Sequence, residues 1–138
     1  MHTKKLISIL ALFSLAVILT ACGRKTIVVN DYLTFPVSGS DHLGTARTSL
    51  AWEQLIEDNM DIFELKSKDD PEMLSVMLRL DKALRGKLDQ QYNLSNGDEV
   101  TYRWDRSNLD VLEEKYNATF VLEDKTFTVS DLKTKSAQ

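Results

Sequence analysis

The sequence predicts a small α+β domain, mainly of antiparallel strands joined as hairpins, with about five to six strands and two or three short helices. Two observations predict this class. Several stretches alternate apolar with polar residues and are rich in β-branched and aromatic side chains, which is typical of half-buried strands. Between them lie short segments whose apolar residues recur every three or four positions, as on one face of a helix.

The first half of the domain is predicted to contain two strands and a short helix. Residues 26–37 predict a strand that bends at Asn30 and Asp31, and residues 38–44 are rich in turn formers. Residues 45–52 alternate again and predict a second strand. A short helix follows, predicted from four apolar residues at helical spacing, Leu55, Ile56, Met60 and Phe63.

A longer helix is predicted over residues 71–84. Asp69 and Asp70 precede Pro71, and the first turn of a helix tolerates proline while its dipole favours carboxylates. Gly86 is typical of a helix end. The stripe predicted to face the core comprises Met73, Leu74, Met77, Leu78, Asp81 and Leu84, with Asp81 as its polar exception.

The second half is predicted to begin with a hairpin. Asn96 and Gly97 separate the extended runs 87–92 and 99–105, and an Asn-Gly pair favours a hairpin turn because both positions tolerate positive φ. A short helix follows, defined by a cap at Ser107 or Asn108, by Leu109, Leu112 and Tyr116, and by a stop at Asn117.

The C-terminal part is predicted to close the domain with a second hairpin. Its strands would be residues 118–122 and 126–132, with Phe127 and Val129 pointing inward. Residues 134–138 predict a disordered polar tail.

The N-terminal segment has the anatomy of an export signal. Lys4 and Lys5 precede an apolar run over residues 6–18, which is shorter than the roughly 20 residues that a membrane-spanning helix needs. An uncleaved signal anchor is the alternative. In either case the rest of the chain is expected outside the cytoplasm, at a membrane.

The end of this run resembles the lipobox of bacterial lipoproteins, with Leu19, Thr20 and Ala21 before Cys22. The resemblance implies that signal peptidase recognises these three residues, that a diacylglycerol is attached to the Cys22 thiol, and that cleavage leaves Cys22 as the first residue. Membrane lipid would then be a partner, and the protein would be lipid-anchored on the extracytoplasmic face of the cell membrane. The implied organisation is a signal peptide at 1–21, an acylated cysteine with a short tether at 22–25, and one domain at 26–133.

Charge excludes one class of partner. Removal of the 21 residues before Cys22 leaves 117 of the 138 residues, enough for one domain. Lys4 and Lys5 are among those removed, so 15 basic residues face 21 acidic ones and the net charge is about −6. Such a surface repels phosphate backbones, so we expect no nucleic-acid partner. It also disfavours broad adhesion to an anionic leaflet, which leaves the acyl chains as the attachment.

Few residues are suited to metal binding. Cys22 is the only cysteine and His42 is the only histidine of the exported part, so neither a disulfide nor a zinc site is expected. Two acidic groups are candidates for calcium, namely Asp69, Asp70 and Glu72, and Asp58 with Asp61. Neither has the spacing of a calcium loop, so we expect no metal and no cofactor.

No catalytic residue is predicted. Ser40, Asp41 and His42 are successive, and successive residues cannot align as nucleophile, orienter and base, although a remote serine remains an alternative partner for His42. No nucleophile elbow is present. One stripe of carboxylates is predicted on a helix face and expected to be solvated, Glu53, Glu57 and Asp61.

Aromatic and arginine side chains are further binding candidates. The aromatic residues considered for a glycan or peptide platform are Trp52, Tyr92, Tyr102, Trp104 and Tyr116. Tyr102 and Trp104 share a strand face with Val100, which favours a core position. The arginines considered for contact with an anionic wall polymer are Arg79, Arg85, Arg103 and Arg106.

Four segments of the chain resemble a repeat of cell-envelope proteins from low-GC Gram-positive bacteria. They are 29–46, 93–105 (NLSNGDEVTYRWD), 112–120 (LEEKYNATF) and 125–132 (KTFTVSDL). The repeat occurs in uncharacterised lipoproteins and in membrane proteins related to the teicoplanin-resistance-associated membrane protein. It implies an envelope-exposed spacer or interaction unit and no active site. The pattern has glycine where this chain has Asn117 and Asp131.

We therefore expect a noncatalytic binding or interaction module at the cell envelope, with an envelope protein, a peptide or a cell-wall ligand as its partner. An alternative is an immunity or resistance factor that captures an antimicrobial peptide or a cell-wall precursor. A small cell-wall hydrolase is the third hypothesis.

Overall fold

The structure, a computed structural model, describes residues 23–134. They form three α-helices and nine short strands, so the predicted α+β class is confirmed. The helices are α1 (Trp52–Asp58), α2 (Met73–Ala83) and α3 (Leu109–Tyr116). The strands are β1 (Lys25–Val28), β2 (Leu33–Thr34), β3 (Val37–Ser38), β4 (Thr45–Ala46), β5 (Ser49–Leu50), β6 (Arg85–Leu88), β7 (Glu99–Asp105), β8 (Ala118–Val121) and β9 (Lys125–Thr128). No helix in this part of the chain is long and apolar enough to cross a membrane.

The strands pair in small sheets. β7 is the centre of the largest sheet, with β6 and β9 antiparallel on either side. The two-residue pairs β2 with β5 and β3 with β4 are also antiparallel. β1 and β8 instead run parallel, with Lys25 opposite Ala118 and Val28 opposite Val121. This pair joins the first strand of the domain to a strand near its C-terminal end.

The N-terminal strands are shorter than predicted. The bend at Asn30 and Asp31 is confirmed, because the 3-10 turn Val29–Tyr32 separates β1 from β2. The strand predicted over residues 45–52 is broken into β4 and β5, and Trp52 begins α1. Each short strand has a different partner, which explains why a single long strand does not form.

α1 has seven residues, about two turns, and ends at Asp58. Phe63 lies in the turns that follow, where it is still buried. Asp61 lies in the same turns, so the predicted helical stripe of Glu53, Glu57 and Asp61 is wrong at its last member.

α2 confirms the predicted long helix but presents a different face to the core. Val76 and Leu80 are buried, whereas Leu74 and Leu78 are 63% and 61% exposed. Asp81 is exposed as well. The predicted stripe is therefore wrong at Leu74, Leu78 and Asp81, whereas Met73, Met77 and Leu84 do pack on the core. The face is shifted because α2 packs against both α1 and α3, and this packing selects a face that includes Val76 and Leu80.

The hairpin predicted around Asn96 and Gly97 is confirmed in its pairing, since β6 and β7 are antiparallel, but positive φ at both turn positions is not found. Residues 89–98 connect the two strands as an irregular loop. Asn96 and Gly97 do form a turn within it, in which the Asp98 amide donates to the Ser95 carbonyl at 3.1 Å. Gly97 has a φ of +95°, and Asn96 is not among the residues with positive φ.

Both strands of the predicted closing hairpin form, but their predicted pairing with each other is wrong. β8 pairs with β1, and β9 pairs with β7. The helix stop at Asn117 is confirmed by its left-handed backbone, with φ of +49°. Asp131 has a φ of +65°, so both positions at which the envelope repeat has glycine adopt the left-handed conformation that glycine favours. Residues 135–138 of the predicted tail lie outside the described part.

Two apolar clusters form the core. The larger one lies beneath the three helices and includes Leu55, Leu80 and Phe120. The smaller one comprises Ala46, Leu94, Val100, Val129 and Leu132. The inward positions predicted along β7 are confirmed, since Val100, Tyr102 and Trp104 are buried.

Two asparagine side chains hold distant segments together by bonding both backbone groups of one residue. Asn30 Nδ2 donates to the Glu123 carbonyl at 2.8 Å, and Asn30 Oδ1 accepts the Glu123 amide at 2.9 Å. Asn96 bonds Leu132 in the same way, at 3.1 and 2.9 Å. We call Asn30 and Asn96 the asparagine clamps. In each clamp, one side chain forms the two hydrogen bonds that a residue of a neighbouring antiparallel strand would form with the same backbone groups.

Gly97→Val is expected to lower the free energy of unfolding by more than about 1 kcal/mol, because a β-branched residue resists positive φ. Gly23 supplies the control: its φ is +98° and, as at Gly97, no atom lies within 4 Å of an added Cβ, but Gly23 precedes β1 and connects no two elements of the described part. Gly23→Val should leave the melting midpoint unchanged. Thermal and urea unfolding measure both variants, and a wild-type midpoint for Gly97→Val would contradict the turn assignment.

Candidate functional site

The predicted anchor residues Leu19, Thr20, Ala21 and Cys22 lie outside the described residues. The described part begins at Gly23 and Arg24, which are both exposed. Lys25 belongs to β1, and its ammonium group pairs with the carboxylate of Asp61. The tether predicted over 22–25 is therefore one residue too long, because Lys25 is already part of the fold.

His42 lies beside a remote serine. Its Nδ1 lies 2.7 Å from the Ser95 hydroxyl, and its Nε2 lies 3.5 Å from Asp41 Oδ2. Loop 38–44 thus meets the turn at Asn96, and an Asp, a His and a Ser share one surface. Sequence reasoning left a remote serine open for His42 but did not identify Ser95, since residues in two loops share no local pattern.

The environment of this cluster is that of a loop contact. The His42 side chain is 79% exposed. The amides nearest the Ser95 hydroxyl already donate: Ser95 N to Asp98 Oδ2, Asn96 N to Asp41 Oδ1 and Gly97 N to the Val129 carbonyl, each at 2.8 Å. An oxyanion hole needs preorganised donors that are free to bind the reacting oxygen. The amides around Ser95 are instead used to join the two loops.

The aromatic candidates on β7 belong to the core. Tyr102 and Trp104 are buried and meet edge to face at 5.0 Å. Trp104 Nε1 donates to the Glu123 carbonyl at 3.0 Å and to Asn30 Oδ1 at 3.2 Å, which ties the ring to the first asparagine clamp. Burial raises the pKa of Tyr102 to about 12. The core interpretation of these two residues is confirmed.

Asp124 organises the turn between β8 and β9. Its Oδ1 accepts the Trp104 amide at 2.9 Å and lies 3.4 Å from the Arg106 guanidinium. Arg106 also donates to the Leu122 carbonyl at 2.9 Å, so this arginine contacts the backbone at the end of β8. The Trp104 amide, and then the charge of Arg106, lower the pKa of Asp124 below its ordinary value of 3.8.

The carboxylates proposed for calcium have other partners. Asp70 accepts the Lys66 and Glu72 amides, each at 2.9 Å, which lowers its pKa. Asp58 accepts the Tyr32 hydroxyl at 2.7 Å. Between residues 23 and 134, no group of three His, Cys, Asp or Glu side chains is placed to hold a metal ion.

The outer face of β6 and β7 brings two cations together. Lys87 lies directly opposite Arg103 in the strand register, so both side chains leave the same face of the sheet, and both are exposed. We call these two residues the cationic strand pair. They line a surface depression of about 500 Å³, whose wall includes Arg85 and the carboxylates of Asp89 and Asp105.

The charged neighbours of the cationic strand pair have their own partners. Asp89 Oδ1 accepts the Thr101 amide at 3.0 Å, and Asp105 Oδ1 accepts the Ser107 amide at 2.9 Å. Arg85 lies 3.8 Å from Asp81. Within residues 23–134, neither Lys87 nor Arg103 forms a salt bridge, although the charge of Arg103 contributes to the lowered pKa of Asp124. Arg103 was a sequence candidate, whereas Lys87 was missed because the strand register was not known.

A second cationic region lies between α2 and α3. A groove of about 190 Å³ is lined by Arg79, Lys82, Ala83, Asn108, Val111, Leu112 and Lys115. We call it the helix groove. Arg79 is the sequence candidate found here, and its Nη1 donates to the Tyr116 hydroxyl at 2.6 Å. Lys82 and Lys115 were missed, since no local pattern relates the two helices.

Comparison with family models, with curated proteins and with solved structures finds no match to this chain. The resemblances to lipoproteins and to the envelope repeat therefore stay predictions.

Asp124→Asn is expected to flatten the acid limb of the stability profile. Because the folded pKa of Asp124 is lowered, its stabilising effect is present above the unfolded pKa and is lost as pH falls through the folded value. Wild type should therefore lose stability more steeply than the variant between about pH 5 and pH 2. Urea unfolding across this range measures the slopes. Asp110→Asn, an exposed carboxylate on α3, is the control, and equal slopes for wild type and Asp124→Asn would refute the assignment.

Proposed function

We propose that this protein is a lipid-anchored, extracytoplasmic binding module that acts without catalysis. Its binding face is the outer surface of β6 and β7, and its partner is anionic. The observation that carries this proposal is the cationic strand pair, Lys87 opposite Arg103.

Like charges directly opposite each other in a sheet lower stability. Lys87 and Arg103 bear this cost without a neutralising salt bridge, on an exported part whose net charge is about −6 with both cations counted. The nearby carboxylates of Asp89 and Asp105 accept backbone amides. An anionic partner seated in the depression would neutralise both cations. The arrangement therefore supports a site whose function costs the fold some stability.

Anchoring is supported by the sequence and by the start of the fold. The lipobox resemblance places the acyl chains on Cys22, and β1 begins at Lys25. An extended chain spans at most about 3.5 Å per residue, so the first strand would start within roughly 10 Å of the acylated cysteine. Such a tether keeps the domain at headgroup level, where it meets partners in or on the envelope.

Two kinds of partner fit the cationic strand pair: an acidic segment of an envelope protein and an anionic cell-wall polymer or precursor. The immunity hypothesis fits in its precursor form, because a cationic antimicrobial peptide would be repelled by Lys87 and Arg103. The hydrolase hypothesis has one observation in its favour, the contact of His42 with Ser95. It is disfavoured because the surrounding amides already have acceptors.

Cys22→Ala is expected to abolish lipidation and release the protein from membranes while the domain still folds, because Cys22 precedes β1, the first element in the described part of the chain. Metabolic labelling with a fatty acid and fractionation after a salt and carbonate wash measure both effects. Circular dichroism of the released protein checks folding. A Cys22→Ala protein that is still acylated, or that stays in the washed membrane, would refute the anchor.

Lys87→Glu is expected to weaken binding of an anionic probe at least tenfold and, at the same time, to raise stability. The first effect follows from loss of a cation in the depression. The second follows because a Glu opposite Arg103 replaces repulsion with attraction, an effect of about 0.2 to 1 kcal/mol. Binding of polyphosphate and of a poly-glutamate peptide, together with urea unfolding, measures the two quantities in the full-length protein.

Lys133→Glu is the matched control, since Lys133 is an exposed cation outside the depression. Lys133→Glu should change neither probe binding nor stability beyond the weak effect of the altered net charge. Equal loss of binding in both variants would show that binding depends on net charge and not on this site.

His42→Ala and Ser95→Ala should retain binding and complement a deletion strain. Loss of complementation, with release of wall fragments by the wild type, would favour the hydrolase.

A further inference from the structure

The helix groove is an apolar surface surrounded by cations. Val111, on α3, lines the groove and is 71% exposed, and the groove's other apolar lining residues are Ala83 and Leu112. The cations that line the groove are Arg79, Lys82 and Lys115, and no carboxylate belongs to the lining. Exposed apolar side chains bordered by basic ones are typical of surfaces that lie against a membrane interface.

Charge is segregated around α3. Val111 and Lys115 are four residues apart and therefore share a helix face. Asp110 and Glu114 each precede one of them and are rotated away by about 100°. The groove is therefore lined by cations and by no acidic side chain of α3, although the domain as a whole is acidic.

Tyr116 fixes two of the cations at one end of the groove. The guanidinium carbon of Arg79 lies 5.9 Å from the centroid of the Tyr116 ring, and Lys115 Nζ lies 5.8 Å from it. The Tyr116 hydroxyl accepts a hydrogen bond from Arg79 Nη1. Phe63 packs edge-on against the same ring at 4.9 Å. This packing holds the tyrosine, and with it the two cations, in position.

The cationic end of the groove lies near the start of the domain. Tyr116 precedes Ala118 by two residues, and Ala118 lies opposite Lys25 in the parallel pair of β1 and β8. Adjacent strands are about 4.8 Å apart, and the chain from Lys25 to Cys22 covers at most about 10 Å. Arg79, Lys115 and Tyr116 therefore belong to the end of the domain that the anchor would hold at the headgroups.

From this geometry we propose that the helix groove docks on the bilayer to which the protein is anchored, with an anionic phospholipid as its ligand. Phosphates lie among Arg79, Lys82 and Lys115, and Val111 reaches the acyl boundary. This inference rests on the proposed anchoring. It selects the bilayer over an acidic helix of a partner protein because the groove is adjacent to the tether. Docking leaves the cationic strand pair, which is not part of the groove, available to the anionic partner.

The test uses full-length lipidated protein in vesicles. Cys22 is the only natural cysteine, and acylation would consume its thiol, so a cysteine at position 111 is the only site for a thiol-reactive bimane label. Val111→Cys should give blue-shifted emission that brominated lipids quench, and the quenching should require phosphatidylglycerol in the phosphatidylcholine vesicles. Leu43→Cys is the control, because Leu43 is 66% exposed in loop 38–44 and should stay in water.

The charge dependence is measured in the same system with Arg79→Gln and Lys115→Gln. Each cation near an anionic surface is expected to contribute about fivefold to the docked population, so the double variant should lose most of the quenching. Asp110→Asn, at a position of α3 that does not line the groove, should retain it. Circular dichroism spectra of the variants establish that the fold is kept.

Every outcome decides the inference. Quenching at position 111 that depends on anionic lipid and on Arg79 and Lys115 supports it. A label that stays in water on protein that floats with the vesicles overturns the docking and leaves the anchor intact. Protein that does not float overturns the anchor and the docking with it. If the label at position 111 is shielded from water in native membranes but not in vesicles, the groove binds a protein partner and the proposal that it binds the bilayer is overturned.

Discussion

The rest of the domain depends on the parallel pairing of β1 with β8, which the hydrogen bonds of the Asn30 clamp extend. It places the first strand of the domain beside a strand near its C-terminal end. Asn30 adds bonds to both backbone groups of Glu123 and to the indole of Trp104. Long-range pairing of this kind costs loop-closure entropy before any contact compensates for it. Once formed, it fixes the position of α3 and therefore of the helix groove.

The domain separates its charges by face. The overall charge is negative, yet cations gather at two places, the cationic strand pair on the outer sheet face and the helix groove between α2 and α3. Net charge governs long-range attraction and repulsion, whereas a local cluster governs what a surface holds at contact distance. A net charge alone argued against any contact with anionic surfaces. The arrangement of individual side chains gives the opposite expectation for these two faces.

The cluster of Asp41, His42 and Ser95 also has contacts that serve the fold. Its members are those of a hydrolytic triad, and His42 does contact a serine. The same loops also use their amides to bond Asp41, Asp98 and Val129. The second asparagine clamp, Asn96 on Leu132, lies in the same turn. These contacts join the loops next to Leu94, Val129 and Leu132 of the smaller apolar cluster, so folding gives these residues a role whether or not they have another.

By itself, the sequence determined what depends on neighbours along the chain. The alternation that buries Val100, Tyr102 and Trp104, the bend at Asn30 and the helix stop at Asn117 were all predictable, because side-chain period and left-handed tolerance are local properties. The anchor at Cys22 is likewise a prediction from local sequence alone. Tertiary structure decided the face of α2, the parallel partner of β8, and the positions of Ser95 beside His42 and of Lys87 opposite Arg103. Each of these depends on register and packing between segments far apart in the chain, where a shift of one residue changes which side chain faces the core and which faces solvent.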